Sequence, residues 1–296
     1  MCLRKKNSVE LQKVVYKQIG KRTFFGNSLV KKGSARMTKK IVFLDIDGTI
    51  LTLNHTIPES TKQAVKELKE KGIEVVIATG RGNFEAKHIA EELDIHSLIT
   101  YNGSYVSFNG LHIFENAIPM EKVKQLIKIA ESKNNAVSCS GLNEKYYTDL
   151  QHPMVQEAIN TFEFKGIQNN LELDSIGSVY QMIVYCSTKE ELDSYNNAVP
   201  GLKLAPWNTT LNCADVMLEE GSKAEGIKLL LNYLNIDKEE AVAFGDGLND
   251  IEMLTYVGTG VAMGNAHPDV FEYADVITES VDEDGIYKGL QKIGIL

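Results

Sequence analysis

Along the chain, short apolar runs each stop abruptly at an acid, a hydroxyl or a glycine. The first is Ile41-Val42-Phe43-Leu44, ended by Asp45-Ile46-Asp47-Gly48-Thr49. The strand Ile73 to Ala78 ends at Thr79-Gly80-Arg81, and Ser97 to Thr100 ends at Tyr101-Asn102-Gly103. Ala241 to Phe244 ends at Gly245-Asp246-Gly247-Leu248-Asn249-Asp250. Runs without alternation are the mark of strands buried on both faces, as in a parallel sheet. Between them the period changes to that of helices. Ala64, Val65 and Leu68 share one face of a helix predicted from Pro58 to Lys71 and closed by Gly72, and a second helix runs through Phe84 to Leu93. Successive strand–helix units predict an α/β fold, a doubly wound, Rossmann-like parallel sheet with right-handed crossovers. Such sheets collect their ligands at the carboxyl ends of the strands, where these acids would lie.

After the third strand the pattern breaks. Tyr105–Phe108 and Leu111–Phe114 flank Asn109-Gly110, which predicts a type I′ hairpin. Met120–Ser132 is amphipathic, with Val123, Leu126, Ile127 and Ala130 on one face. From Ala136 to Trp207 short strands and helices mix, the clearest strand being Val179–Cys186. Residues 116–212 are therefore expected to form an inserted α+β domain between two halves of the core, 37–115 and 213–296. Beyond it, Ser222 and Glu225 have capping-box spacing at the start of a helix striped by Ile227, Leu230, Leu231 and Leu234. Lys223 takes the first helical position, an odd place for a cation unless an anion faces it.

A length of 296 residues, 43% hydrophobic and 24% charged, is an ordinary globular composition able to build a sizeable core. No apolar run reaches membrane-spanning length, so no membrane partner is expected. The net charge of −9 is uneven: residues 1–36 hold ten Lys/Arg and one acid, leaving −18 on the rest. A body this acidic argues against a nucleic-acid partner. The cysteines at 2, 139, 186 and 213 show no paired spacing and read as free thiols in a reducing, cytoplasmic compartment. Residues 1–36 form a basic extension with no sustained period. It can be read as a targeting segment, as a basic tail for an anionic surface, or as sequence upstream of a start at Met37, and we favour the last.

Alternation along a strand points Asp45 and Asp47 to the same side. Two carboxylates so close want a cation between them or a proton on one, the arrangement for a metal-assisted nucleophile and a neighbouring general acid. No Walker-type loop and no Gly-x-Gly-x-x-Gly with a downstream acid supports a nucleotide fold. The histidines lack zinc-ligand spacing. A hard oxygen site from Asp45, Asp47 and Asp246 suits Mg²⁺.

Taken in order, Asp45-Ile46-Asp47-Gly48-Thr49, Thr79, Lys223 and Gly245 to Asp250 resemble the four motifs of the haloacid dehalogenase-like hydrolases. The contexts Ala78-Thr79-Gly80-Arg81 and Tyr101-Asn102-Gly103, with a large insert after the third strand, are similar to the Cof subfamily with its type IIB cap. The resemblance extends over residues 37–296. It implies that Asp45 is the nucleophile that becomes an aspartyl phosphate, and that Asp47 is the general acid and then base. It implies Mg²⁺ held by the Asp45 carboxylate, the Asp47 backbone carbonyl and Asp246. Thr79, Gly80, Asn102, Lys223 and Asn249 are then phosphate or substrate contacts, with Asp250 behind them orienting the metal site or Lys223. The implied activity is a Mg²⁺-dependent phosphatase acting on small phosphorylated metabolites, sugar phosphates foremost and a flavin or cofactor phosphate next. Alternatives are a phosphomutase or phosphotransferase, and a catalytically silent binding or regulatory protein. Only 34 positions separate Asp45 from Thr79, too few for a lid, so the insert is expected to be the cap. Tyr146, Tyr147, His152 and Trp207 are its candidate substrate contacts. The oligomeric state stays open.

Overall fold

The computed structural model describes residues 39–162, 167–170, 177–196, 198–207 and 212–296. The basic extension 1–36, and every reading of it, lies outside the described residues.

The core begins with β1 (Ile41–Leu44), α1 (Glu59–Glu70), β2 (Glu74–Ala78), α2 (Asn83–Glu92) and β3 (Leu98–Thr100), followed by a hairpin of β4 (Tyr105–Phe108) and β5 (Leu111–Glu115). The insert holds α3 (Met120–Ser132), β6 (Ala136–Ser140), β7 (Lys145–Tyr147), α4 (Pro153–Phe162), β8 (Ile167–Asn170), β9 (Gln181–Tyr185), α5 (Lys189–Asp193), β10 (Leu202–Pro206) and β11 (Cys213–Leu218). The core resumes with α6 (Lys223–Leu234), β12 (Ala241–Gly245), α7 (Ile251–Tyr256), β13 (Thr259–Ala262), β14 (Val276–Ile277) and α8 (Gly285–Lys292). None of the helices among the described residues is long and apolar enough to cross a membrane.

The core sheet has the order β14-β13-β12-β1-β2-β3-β4-β5. It is parallel from β14 to β3 and antiparallel in the hairpin. β1 lies inside it, Leu44 pairing with Phe244 on one side and Ile77 on the other. Its unbroken apolar run is required because both faces are covered. Val42 and Leu44 pack with Ala64, Val65 and Leu68 of α1 and with Leu290 of α8, while Ile41 and Phe43 pack with Ile227, Leu230 and Leu231 of α6. The hairpin turn is of the expected kind, with Asn109 and Gly110 both at positive φ (48° and 75°).

The insert's sheet has the order β10-β11-β9-β6-β7-β8. One face, including Val137, Cys139, Met182, Val184, Ala214 and Val216, packs on the apolar stripe of α3. The other face is divided. Tyr147, Ile183, Tyr185 and Cys213 lie under Val155 and Ala158 of α4, whereas Ser140, Lys145, Gln181 and Asp215 leave the rest of that face polar.

β11 corrects the expected boundary at 212. Cys213–Leu218 pairs antiparallel with both β9 and β10, so it belongs to the insert's sheet and the chain returns to the core only after Leu218. Its apolar pattern suits either sheet, and only its pairing partners distinguish them.

Candidate active site

Asp45 continues β1, its N–H donating to the Phe244 carbonyl at 3.1 Å, and its carboxylate is buried. The Lys223 ammonium donates to Asp45 Oδ1 and to Asp250 Oδ1, each at 2.6 Å. These are the anions that the helix-start lysine called for. Ser222 caps α6 by accepting from Glu225 N–H at 3.3 Å. The Glu225 carboxylate pairs with Lys228 rather than closing the reciprocal half of the capping box. Gly103 lets the helix start come close: it sits at φ 93°, and a Cβ there would lie 2.1 Å from the Ser222 carbonyl oxygen. Burial opposes the charge on Lys223, but Asp250 and Asp45 outweigh it and hold the ammonium above its ordinary titration range. The second oxygen of Asp250 accepts from the N–H groups of Asp246 (3.0 Å) and Gly247 (2.9 Å). Both oxygens of Asp250 are thus engaged in bracing Lys223 and the β12 loop.

Carboxylate oxygens of Asp45, Asp246 and Asp250 lie within 4.8 Å of one another. Burial, reinforced by the Asp250 charge, pushes Asp246 up to about 7. Burial and then Asp250 likewise raise Asp45 well above the usual carboxylate range. Such crowding is relieved by a hard cation. With Asp250 committed elsewhere, Asp45 and Asp246 are the carboxylates left to hold one. Thr49 Oγ1 donates to Asp246 Oδ1 at 3.1 Å. Gly48, at φ 76°, allows that contact, since a Cβ there would sit 2.1 Å from Asp246 Oδ2.

The Asp47 carboxylate is half exposed and turned toward Arg81, which donates to it through Nε at 2.8 Å and Nη2 at 2.5 Å. Thr79 is buried; its Oγ1 accepts from Arg81 N–H at 3.0 Å and its carbonyl from Asn102 N–H at 3.1 Å. Asn102 is left-handed (φ 50°, ψ 43°) and accepts from Asn249 Nδ2 at 3.1 Å. A Cβ on Gly80 would be 3.2 Å from the Asn102 amide, so the glycine leaves room for that side chain. All nine candidate residues therefore meet at one edge of the core sheet.

Three further groups join them that the sequence did not single out. Asn265, after β13, donates to the Gly48 carbonyl at 2.9 Å and to Asp246 Oδ2 at 3.4 Å, while its Oδ1 accepts from Val281 N–H at 2.8 Å. Its signal was there: one more apolar strand ending in Gly-Asn at the same edge. Arg81 stood in a quoted motif context without a role. The third is the pair of Glu85 and Lys145, 2.9 Å apart and nearly sealed, which joins α2 to β7. Beside it Tyr101 donates its hydroxyl proton to the Gly141 carbonyl at 2.6 Å, and the Asn102 amide meets Met217 Sδ at 3.8 Å. The insert therefore covers the catalytic edge.

The four aromatic and histidine candidates in the insert find partners within the insert. Tyr146 bonds Glu144, Tyr147 is buried beneath α4, and His152 meets the Asn134 carbonyl. Trp207 donates Nε1 to Asp215 Oδ1 at 3.0 Å. Aromatic character alone did not distinguish packing from function.

Residues 42–290 match the family model described as haloacid dehalogenase-like hydrolase. A Bacillus subtilis protein named "Putative phosphatase YkrA" is 40% identical over 260 residues, 88% of this chain and 100% of the relative. Another from the same organism, the 5-amino-6-(5-phospho-D-ribitylamino)uracil phosphatase YcsE, is 29% identical over 85% of this chain and 94% of its own. Among solved structures, the HAD subclass IIB sugar phosphatase BT4131 superposes with a TM-score of 0.76 at 32% identity, covering 87% of this chain and 100% of that one.

Proposed function

The chain belongs to the haloacid dehalogenase-like hydrolases and is a phosphatase of that family, and from this premise we propose that it is a Mg²⁺-dependent phosphatase of small phosphorylated polyols, sugar phosphates foremost. The observation that carries the reading is the placement of Lys223 against Asp45, with Asp47 two residues on, turned away from the lysine and reachable from solvent.

An Asp45 oxygen forms a bond to phosphorus as the ester P–O bond breaks, giving an aspartyl phosphate. Asp47 gives its proton to the departing alkoxide, a contribution of about 10²–10⁴-fold. It then takes a proton from the water that attacks phosphorus, which frees the Asp45 carboxylate. Lys223, with the Thr79 loop, stabilises charge on the phosphoryl oxygens. Mg²⁺, held by Asp45, Asp246 and the Asp47 carbonyl, would screen the repulsion between carboxylate and phosphate when bound. Asp250 keeps Lys223 and the Asp246 backbone in register. The insert would cover the edge of the sheet where the acids lie and limit the access of bulk water to the buried Asp45.

The polar half of the insert's sheet supports a hydroxyl-rich leaving group, and the names of the sugar phosphatase and the ribityl phosphatase among the relatives agree with it. The buried free thiols Cys139, Cys186 and Cys213 support a reducing, cytoplasmic setting. The test is phosphate release from p-nitrophenyl phosphate and from a panel of sugar phosphates, with and without Mg²⁺. Turnover should require the metal and vanish in Asp45→Asn; metal-independent turnover, or turnover that survives in the variant, would refute the mechanism.

A further inference from the structure

The polar half of the insert's sheet is bracketed by two contacts with the catalytic edge. At one side Lys145 of β7 reaches Glu85, three residues beyond Gly82 at the start of α2. At the other, Met217 of β11 touches the Asn102 amide. Between them the ladder runs Lys145 to Ser140 to Gln181 across β7, β6 and β9. Asp215 lies two residues before Met217 on β11, and alternation gives it the same facing. Ser140, Gln181 and Asp215 therefore share the sheet face that carries both of these contacts.

Two of these side chains lack an explanation in the mechanism. The Ser140 hydroxyl is 1% exposed and has no hydrogen-bond partner among the described residues. A buried hydroxyl without a partner is costly, which points to a polar ligand group. Asp215 is held in place by Trp207, whose Nε1 donates to it at 3.0 Å. That bond fixes its orientation but does not exhaust the roughly four acceptor positions of a carboxylate. Burial pushes it up to about 6, so at neutral pH it is still an acceptor.

We propose that Asp215 and Ser140 are the specificity-determining residues of this phosphatase, reading hydroxyl groups of a polyol leaving group from this sheet face. This deepens the function proposed above and rests on it. Trp207 is the positioning residue that aims the Asp215 carboxylate. An ester whose leaving group has no hydroxyls gains nothing from this face.

The experiment compares kcat/KM for hexose 6-phosphate and p-nitrophenyl phosphate in the wild type, Asp215→Asn, Asp215→Ala and Ser140→Ala. The wild type should prefer the sugar ester. Asp215→Ala should lower kcat/KM for it by about 10- to 100-fold, as expected for lost hydrogen bonds to a charged group. Most of the loss should be in KM, because the contact is made equally in ground and transition states. Asp215→Asn, which still accepts from Trp207, should fall less, and Ser140→Ala about threefold to tenfold. All three should keep p-nitrophenyl phosphate turnover within about twofold, which also shows that they fold. Equal loss on both esters, or an undiminished sugar preference, overturns the assignment and leaves the phosphatase reading standing. A wild type that turns over p-nitrophenyl phosphate without preferring the sugar ester overturns the polyol reading itself, and this assignment with it.

Discussion

Lys223 and Asp250 meet at 2.6 Å between Nζ and Oδ1, with both side chains sealed from solvent. A charge so placed cannot lose its partner cheaply. Lys223→Met should therefore destabilise the fold by about 3–5 kcal/mol, because it leaves Asp45 and Asp250 buried without their counter-ion. Adding Asp250→Asn should recover part of that loss rather than add to it. Denaturant unfolding of the two variants checks both outcomes.

Asp246 makes stability depend on pH. Its folded-state value of about 7 exceeds the ordinary 3.8, so between the two the folded chain holds a proton that the unfolded chain has released. Its stabilising contribution is complete below the lower value and is lost as pH rises toward 7. A cation held by Asp45 and Asp246 would take the proton's place in relieving the repulsion. Thermal midpoints measured in EDTA should fall across this window, those in excess Mg²⁺ should fall less, and the two curves should separate most above about pH 7.

Asn265→Ala removes the donor shared by the Gly48 carbonyl and Asp246. The residue orients the carboxylate proposed to hold the metal without being a candidate ligand itself. Its loss should weaken apparent Mg²⁺ affinity by about 10- to 100-fold. A Mg²⁺ titration of turnover measures this, and maximal turnover at saturating metal should fall far less than the affinity.

Gly48→Ala meets two obstacles at once, a positive φ and the Asp246 carboxylate where the new methyl must go. The backbone term alone costs on the order of 1 kcal/mol, and displacement of Asp246 should cost most of the activity. Thermal unfolding and p-nitrophenyl phosphate hydrolysis of the variant test the two effects separately.

Elements were legible wherever the pattern is local. The run at β1, the stripe of α3 and the Asn109-Gly110 turn each follow from side-chain period or turn chemistry within a few residues. The boundary after Asn212 was misplaced because β11 satisfies either sheet equally well by composition. Among the site residues, the acids were legible because a carboxylate ending a buried run has no packing reason to be there. Asn265 ended one more apolar strand at the same edge, whereas Glu85 was not legible, since a glutamate at a helix start is ordinary until its partner is known. Tyr147 and Trp207 drew attention for their size, but packing claimed one and the support of Asp215 the other.

The amino-acid sequence by itself determined the α/β class, the inserted α+β region and the strand ends that bring the acids to one edge of the sheet. These depend on hydrophobic period and on residue type at fixed short spacing. Only the tertiary structure decided which charges face one another. Lys223 reaches Asp45 across 178 residues and Asp250 across 27, and Lys145 reaches Glu85 across 60. Electrostatic pairing depends on distance in space and on the burial around it, and neither is encoded in any local window of the chain.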